Sequence, residues 1–349
     1  MRKQTSVIQI LADYFDSYLP STKGLSINTI TSYQYAFRLL FEYLDLEKGL
    51  THEKVSFQSL TGGVIEEYLH WLVNDRKCSA RTRNQRLAAI SSFAKFAMKR
   101  NLAEALTFGA EVAAIPKKKV AKNDVIVYFT VEEMGELLRT PKQHTPIGRR
   151  DAVLMSVLYA SGARAQELCD LTVSDVHFGD TTTLRLFGKG SKARVVVIPN
   201  DCANLLAGHM KNNGLNTAAG NERRRHIFSS LNNEHMTISC IEEIVKRHVK
   251  SAKAFHPSLF PHINYTPHSF RHSIAVHMLE SGVPLPVIKN FLGHVSLEST
   301  LIYATVTPEL ANRYLKERGF GAKAPNVEEY KTLVVPALPF LTTRKGNRR

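Results

Sequence analysis

Thr183-Leu184-Arg185-Leu186-Phe187-Gly188-Lys189-Gly190-Ser191-Lys192-Ala193-Arg194-Val195-Val196-Val197-Ile198 is the stretch that reads as β in a chain otherwise patterned as helix. The β-prone runs 183–187 and 194–198 flank a short segment of Gly, Lys and Ser, the pattern of a hairpin or small sheet. The fold class that follows is mainly α with a small antiparallel β-sheet. Lys189 falls at the hairpin tip, and Lys192 is the rival for that place. The same segment does not make a nucleotide loop. The pattern G-x-x-x-x-G-K-[ST] needs Gly at 183 and a hydroxyl at 190, where the chain has Thr183 and Gly190.

Outward from the hairpin, helical patterning dominates. Thr130 followed by Glu133 reads as a capping box ahead of Met134, Leu137 and Leu138. An apolar helix from Ala152 to Tyr159 ends at Ser161-Gly162. Helices resume near Ile238 and continue, with interruptions, to about Glu317. On the N-terminal side, Val7, Ile10, Leu11, Tyr14, Phe15 and Tyr18 recur at 3.6-residue spacing and predict one apolar stripe. A second stripe runs from Ile30 to Leu44 and starts near Asn28. A third spans Val64 to Leu72, and a fourth, capped by Ser79, buries Leu87, Ile90, Phe93, Ala94 and Ala97. Between the two helical regions lies Pro116-Lys117-Lys118-Lys119-Val120-Ala121-Lys122, which breaks the pattern and reads as an extended basic linker.

The chain has 349 residues, with 46 Lys+Arg against 31 Asp+Glu and a net charge of +15. That imbalance points to a polyanionic partner. No run reaches the roughly 18 apolar residues of a membrane span, and Met1 to Tyr18 lacks the apolar block of a secretory signal. Cys78, Cys169, Cys202 and Cys240 lie far apart with no C-x-x-C, so reduced thiols in a cytoplasmic protein are expected.

Six widely separated residues carry the chemistry. Arg164 and Glu167 lie three apart, sharing a helix face on which the carboxylate can orient the guanidinium. His268 and Arg271 lie one turn apart after the helix-starting Pro267. His294 follows Gly293, and Tyr303 comes nine residues later on a helix that Ser296 can cap. Two guanidiniums can grip a phosphodiester bidentately, and the Lys189 ammonium can protonate a leaving oxygen. Tyr303 can attack phosphorus, although a phenol of pKa about 10 is only roughly 0.3% ionised near pH 7.5. Nearby guanidiniums are what would make the phenolate accessible. No Asp/Glu cluster suggests a metal. His268 and His272 have the i,i+4 spacing of zinc helices, but H-E-x-x-H needs Glu at 269, where Ser stands.

This ordered set, Arg164, Lys189, His268-x-x-Arg271, Gly293-His294 and Tyr303, resembles the tyrosine recombinase (phage integrase) family. The resemblance implies a helical, SAM-like core-binding domain over 1–112 and a basic linker over 113–124. It further implies an α+β catalytic domain over 125–320 and a tail over 321–349. It implies that Arg164 and Arg271 clamp the scissile phosphate while His268 and His294 complete its cradle. Lys189 is then the general acid for the 5′-hydroxyl, Tyr303 the nucleophile forming a 3′-phosphotyrosyl link, and Glu167 the support of the first arginine. No metal or other cofactor is required. The partners implied are double-stranded DNA with specific core sites, a homotetramer in the synapse, and accessory proteins.

Arg81, Arg83 and Arg86 on the fourth helix, Lys117, Lys118 and Lys119 in the linker, and Lys192 are the expected DNA contacts. Within the family, a mobile-element integrase or transposase is expected from the residues following Tyr303, with a Xer-like dimer resolvase as the alternative. The apolar stretch Val334 to Leu341 is expected to dock on a neighbouring subunit. Two readings of other classes compete. One is a non-catalytic helix-turn-helix protein using Leu285 to Leu292 and Leu297 to Ala304. The other is a type IB topoisomerase acting as a monomer.

Overall fold

The computed structural model describes residues 7–100, 103–120, 126–188, 192–215, 222–230 and 233–304. The chain forms two compact units, parting between Asp124 and Val125. Lys189, the expected helix from Pro308 to Arg318 and the tail from Val334 to Leu341 lie outside the described residues.

The first unit is helical throughout: α1 (Val7–Asp13), a π-helical segment (Tyr14–Thr22), α2 (Ile27–Lys48), α3 (Gly62–Asn74), α4 (Ala80–Met98) and α5 (Ala103–Ala114). Their apolar faces share one core, in which Phe93 meets Tyr14 and Phe37 edge-on at centroid distances of 5.4 and 5.3 Å. Thr61 caps α3 by accepting from Val64 N–H, and Ser79 caps α4 by accepting from Thr82 N–H. Gly49 ends α2 at φ +61°, a left-handed turn that a side chain resists.

The first stripe departs from a simple α-helix. After Asp13 the chain widens, so the buried positions step Ile10, Tyr14, Leu19, and Tyr18 is left only half-buried. Pro20, inside the segment, has no N–H to keep an α-type ladder going. Lys23 N–H donates to the Tyr18 carbonyl five residues back, at 2.9 Å. Helix α5 is a further element that the apolar stripes did not single out, and it runs to Ala114, past the expected start of the linker.

The second unit begins with α6 (Val131–Arg139), α7 (Pro146–Ser161) and α8 (Ala165–Cys169). Next come β1 (Val176–His177), β2 (Thr182–Phe187) and β3 (Ala193–Ile198). It continues with α9 (Asn200–Asn212), α10 (Ile238–Phe255), α11 (Pro267–Glu280), α12 (Leu285–Leu292) and α13 (Glu298–Ala304). The sheet is antiparallel in the order β1-β2-β3, with the hairpin in register from Thr182↔Ile198 to Phe187↔Ala193. Leu184, Leu186, Val196 and Ile198 face inward while Val195 and Val197 face solvent, the alternation expected of a one-sided sheet.

Leu154, Met155, Val157 and Leu158 of α7 sit at the centre of the larger core. The capping box at Thr130 and Glu133 forms as expected, and the Glu133 carboxylate also accepts from Phe260 N–H at 2.8 Å. A smaller cluster joins α11, α12 and α13 through Ala275, Val276, Leu279, Ile288, Leu292 and Tyr303. All four cysteines are free thiols. Among the described residues, no helix is long and apolar enough to cross a membrane.

Candidate active site

The site is assembled on the second unit from the end of α7, the first turn of α8, the hairpin, α11 and the α12–α13 turn. Gly162, at φ +57°, ends α7 against Leu292, Ile274 and Phe291, where a β-carbon would stand 3.0 Å from Leu292 Cδ2. That turn sets Arg164 as the residue capping α8. Its backbone N–H donates to Glu167 Oε2 at 2.8 Å and its Nη1 to Glu167 Oε1 at 2.8 Å. The Arg164 side chain remains 40% exposed, whereas Glu167 is buried.

Arg194, from β3, completes the arrangement. Its Nη1 and Nη2 grip both oxygens of Glu167 at 2.7 and 2.8 Å, and its Nε donates to the Phe291 carbonyl at 3.0 Å. Burial pushes the Glu167 carboxyl up, but the bonds from Arg194 and Arg164 outweigh it and hold the group below the usual carboxylate range. Gly188, at the root of the hairpin loop, lies beside this pair. A β-carbon there would stand 3.5 Å from Glu167 Oε1 and 3.6 Å from Arg164 Nη1. The loop that carries Lys189 therefore starts next to the first arginine. Lys192 is exposed, and its carbonyl accepts from Gly188 N–H at 2.9 Å.

Arg271 is among the largest fully buried side chains. Its Nη1 donates to the Gly162 carbonyl at 2.6 Å and its Nη2 to the Leu292 carbonyl at 2.5 Å, pinning α11 to the ends of α7 and α12. Its buried Nε has no hydrogen-bond partner among the described residues. Burial, with Arg164 and Arg194 close by, lowers the guanidinium to about 9. An anion would satisfy the orphaned donor and offset the crowded positive charge.

Tyr303 is buried, with its ring in the apolar cluster of α11 and α12. Its hydroxyl lies 3.1 Å from His272 Nδ1. Burial raises the phenol, and Arg271 and Arg164 pull in the opposite direction. His294 stacks on the Tyr303 ring at a centroid distance of 6.4 Å, and Thr300, fully buried, hydrogen-bonds His294 Nδ1 at 3.0 Å. That bond leaves His294 Nε2 free to face a ligand. His268 stands edge-on to His272, ring centroids 4.4 Å apart. Burial is the main cause that lowers both His272 and His294 to about 4, so each imidazole is neutral at neutral pH.

Arg164, Glu167, His268, Arg271, His294 and Tyr303 thus gather on one side of the unit from positions up to 139 residues apart in sequence. Three participants were not singled out from spacing: Arg194, Thr300 and the contact of His272 with Tyr303. His272 had entered only as a metal rival. Arg194 and Thr300 carry no spacing signal, because each acts across tertiary contacts.

The expected DNA contacts on the first unit divide. Arg83 is buried, and its Nη1 holds the Pro116 carbonyl at 2.7 Å. Asn84 exchanges two hydrogen bonds with the Lys118 backbone, at 2.8 and 3.0 Å. Residues 116–118 are strapped to α4, and Arg83 serves that strap rather than facing outward. Arg86 lies over the Tyr35 ring at 4.8 Å and donates to the Ser32 carbonyl. Arg81, Lys117, Lys118 and Lys119 are exposed.

Paired guanidiniums around a buried phenol, with neutral imidazoles on either side, are groups with which phosphoryl transfer can be carried out. Residues 128–309 match the phage integrase family, and residues 12–101 match the N-terminal SAM-like domain of phage integrases. The first match spans more than half of the chain, which therefore belongs to that family, the tyrosine recombinases that cut and rejoin DNA. The chain is 30% identical over 307 residues to y4rC of Sinorhizobium fredii, named among the integrase/recombinases, covering 88% of this chain and 90% of that protein. It is 29% identical over 288 residues to tyrosine recombinase XerD of Halalkalibacterium halodurans, covering 82% and 89%. The fold is shared with the XerH site-specific recombinase bound to its difH substrate, at a TM-score of 0.63 and 19% identity, over 84% of this chain and 80% of that one.

Proposed function

We propose that the protein is a site-specific recombinase that breaks one DNA strand through a 3′-phosphotyrosyl intermediate formed at Tyr303, and that it acts as the integrase or transposase of a mobile element. The observation that carries the chemistry is the Tyr303 hydroxyl held by His272 beside the buried, incompletely bonded guanidinium of Arg271.

Arg271 Nε and the exposed Arg164 guanidinium bind the non-bridging oxygens of the scissile phosphate and neutralise charge as the transition state forms. His268 and His294 complete the cradle, the latter through Nε2. The Tyr303 oxygen attacks phosphorus, and the 5′-oxygen departs with a proton from Lys189. The phosphotyrosyl ester conserves the energy of the original bond, so a 5′-hydroxyl from a partner duplex reverses the step and seals exchanged strands without a nucleotide. Glu167 and Arg194 keep Arg164 in place. Two strands exchanged in succession within a tetramer complete the reaction.

The likeness to y4rC, named among the integrase/recombinases, supports the integrase reading. The likeness to XerD favours a second reading, resolution of chromosome or plasmid dimers. Recombination between two marked sites in one plasmid tests both. Wild type is expected to exchange the markers and Tyr303→Phe is not, and a protein that only relaxes the plasmid would be a topoisomerase. Mapping the attachment sites then separates the roles: attachment at the ends of an element supports integration, and attachment at a chromosomal dimer-resolution site supports the Xer reading.

A further inference from the structure

Tyrosine cannot attack as the neutral phenol without giving up its proton, and while Lys189 supplies the leaving oxygen's proton, the phenolic proton needs an acceptor of its own. We propose that His272 is the general base of the reaction, with Nδ1 taking the phenolic proton of Tyr303 as its oxygen bonds to phosphorus. The inference rests on Tyr303 being the nucleophile.

Geometry comes first. His272 Nδ1 is 3.1 Å from the Tyr303 hydroxyl, within reach for direct proton transfer, and the two rings meet at 62° with centroids 5.6 Å apart. His272 follows Arg271 on the rigid helix α11, while Tyr303 is fixed by the apolar cluster of α11, α12 and α13. The two partners are therefore held by elements that pack directly on each other. His268 and His294, the imidazoles assigned to the phosphate, touch Tyr303 less directly: His294 stacks face to face with its ring and bonds Thr300 instead.

The protonation states agree. Burial, then His268, Arg271 and His294, depresses His272, so the ring is a free base at neutral pH. Tyr303 is correspondingly protonated, since burial raises its phenol despite Arg271 and Arg164. In the tautomer with its proton on Nε2, His272 presents the bare Nδ1 to the Tyr303 hydroxyl, which then donates to it. A DNA phosphate entering between Arg164 and Arg271 would offset the positive charge that weakens His272, so the base would gain strength when substrate is in place. The proton balance closes: the Tyr303 proton goes to His272 Nδ1, the P–O5′ bond breaks as the P–OTyr bond forms, and the 5′-oxygen takes its proton from Lys189. In the rejoining step each proton returns.

The test uses the full-length protein and a nicked suicide duplex that traps the covalent adduct, prepared with either a 5′-oxygen or a 5′-bridging sulfur at the scissile bond. His272→Asn is the decisive variant, because it keeps a neutral hydrogen-bonding atom near the Nδ1 position but cannot take the proton. Loss of a general base costs on the order of 10²–10⁴-fold. His272→Asn is expected to slow adduct formation by that range with both leaving atoms. Lys189→Ala is expected to be slow with oxygen and to recover with sulfur, which leaves without a proton. His272→Ala is expected to match His272→Asn and to recover partly when imidazole is added. Retained binding of the duplex and an unchanged melting temperature verify folding of each variant. Wild-type rates in His272→Asn, or a defect that disappears with the sulfur substrate, would overturn the assignment. If wild type itself forms no adduct, the failure belongs to Tyr303 as nucleophile and not to His272.

Discussion

Glu167 accepts four hydrogen bonds, two from Arg164 and two from Arg194, while almost wholly buried. Removing its charge would leave the Arg194 guanidinium, itself 11% exposed, without a counter-ion. Breaking one side of a buried pair costs about 3–5 kcal/mol. Glu167→Gln is therefore expected to lower stability by an amount in that range, read by urea unfolding, and to slow cleavage by letting Arg164 drift. The imidazoles set a pH dependence. His272 and His294 titrate near 4 in the folded chain and at the ordinary 6.5 when unfolded. The unfolded chain therefore binds more protons between those values, and stability falls as pH drops from about 6.5 towards 4. Glu167 and Asp151, both held below the usual carboxylate range, extend the loss below that window. Melting temperatures taken at pH 7, 5.5 and 4.5 are expected to decline in that order; a flat series would mean that the imidazoles are not held neutral. At this scale the sequence was informative where chemistry repeats locally. Glu167 was legible because it lies three residues from Arg164, and the His268–Arg271 pair for the same reason. Arg194 was not, since its strand parity puts it on the inward face with Val196 and Ile198, but nothing in the local sequence pairs it with Glu167, 27 positions away.

The turn from α12 into α13 places both His294 and Tyr303. Gly293 sits there at φ +66°, and a β-carbon would meet Arg194 Cδ at 2.8 Å. A non-glycine residue in this conformation costs about 1–3 kcal/mol, and here the arginine must also move. Gly293→Ala is expected to destabilise the protein by that amount and to reduce cleavage more than DNA binding, because Arg194, Glu167 and Arg164 shift together. Stability measured by denaturation and adduct rate measured on the same preparation check this; an unaltered adduct rate would contradict the coupling. Among the elements, capping chemistry was the most readable layer: Ser79 and the Thr130–Glu133 box hold helix starts as their side chains dictate. The hairpin was readable from β-branched residues around a Gly-rich turn. The widened turn from Tyr14 to Thr22 was not, because a 3.6-residue period was imposed on a segment whose buried positions step by four and then five. Helix α5 has Ala105, Phe108 and Val112 on its buried face, a stripe too rich in alanine to stand out.

Each unit carries its own apolar core, and α4 ties down the first residues of the linker through Arg83 and Asn84. Arg83→Ala is expected to release residues 116–118 and raise protease cleavage there, while the helical unit itself keeps its core. The net charge of +15 implies that DNA binding is strongly salt-dependent. Each phosphate contact contributes about 0.9 to the slope of log K against log salt, so replacing the exposed Lys117 and Lys119 by Ala is expected to lower that slope by about two. An unchanged slope would place the linker away from the duplex. Composition and order of residues made the polyanionic partner and the two helical regions legible, whereas the strap depends on a side chain reaching across 33 positions and has no local signature. In the proposed reaction the Tyr303 oxygen itself becomes bonded to DNA phosphorus. Incubating the protein with a nicked duplex in the presence of EDTA, digesting the adduct and sequencing the DNA-linked peptide by mass spectrometry tests it most directly. A 3′-phosphate attached at Tyr303, absent from Tyr303→Phe, is the predicted result. An adduct on another residue, cleavage that survives in Tyr303→Phe, or cleavage abolished by the chelator would contradict it.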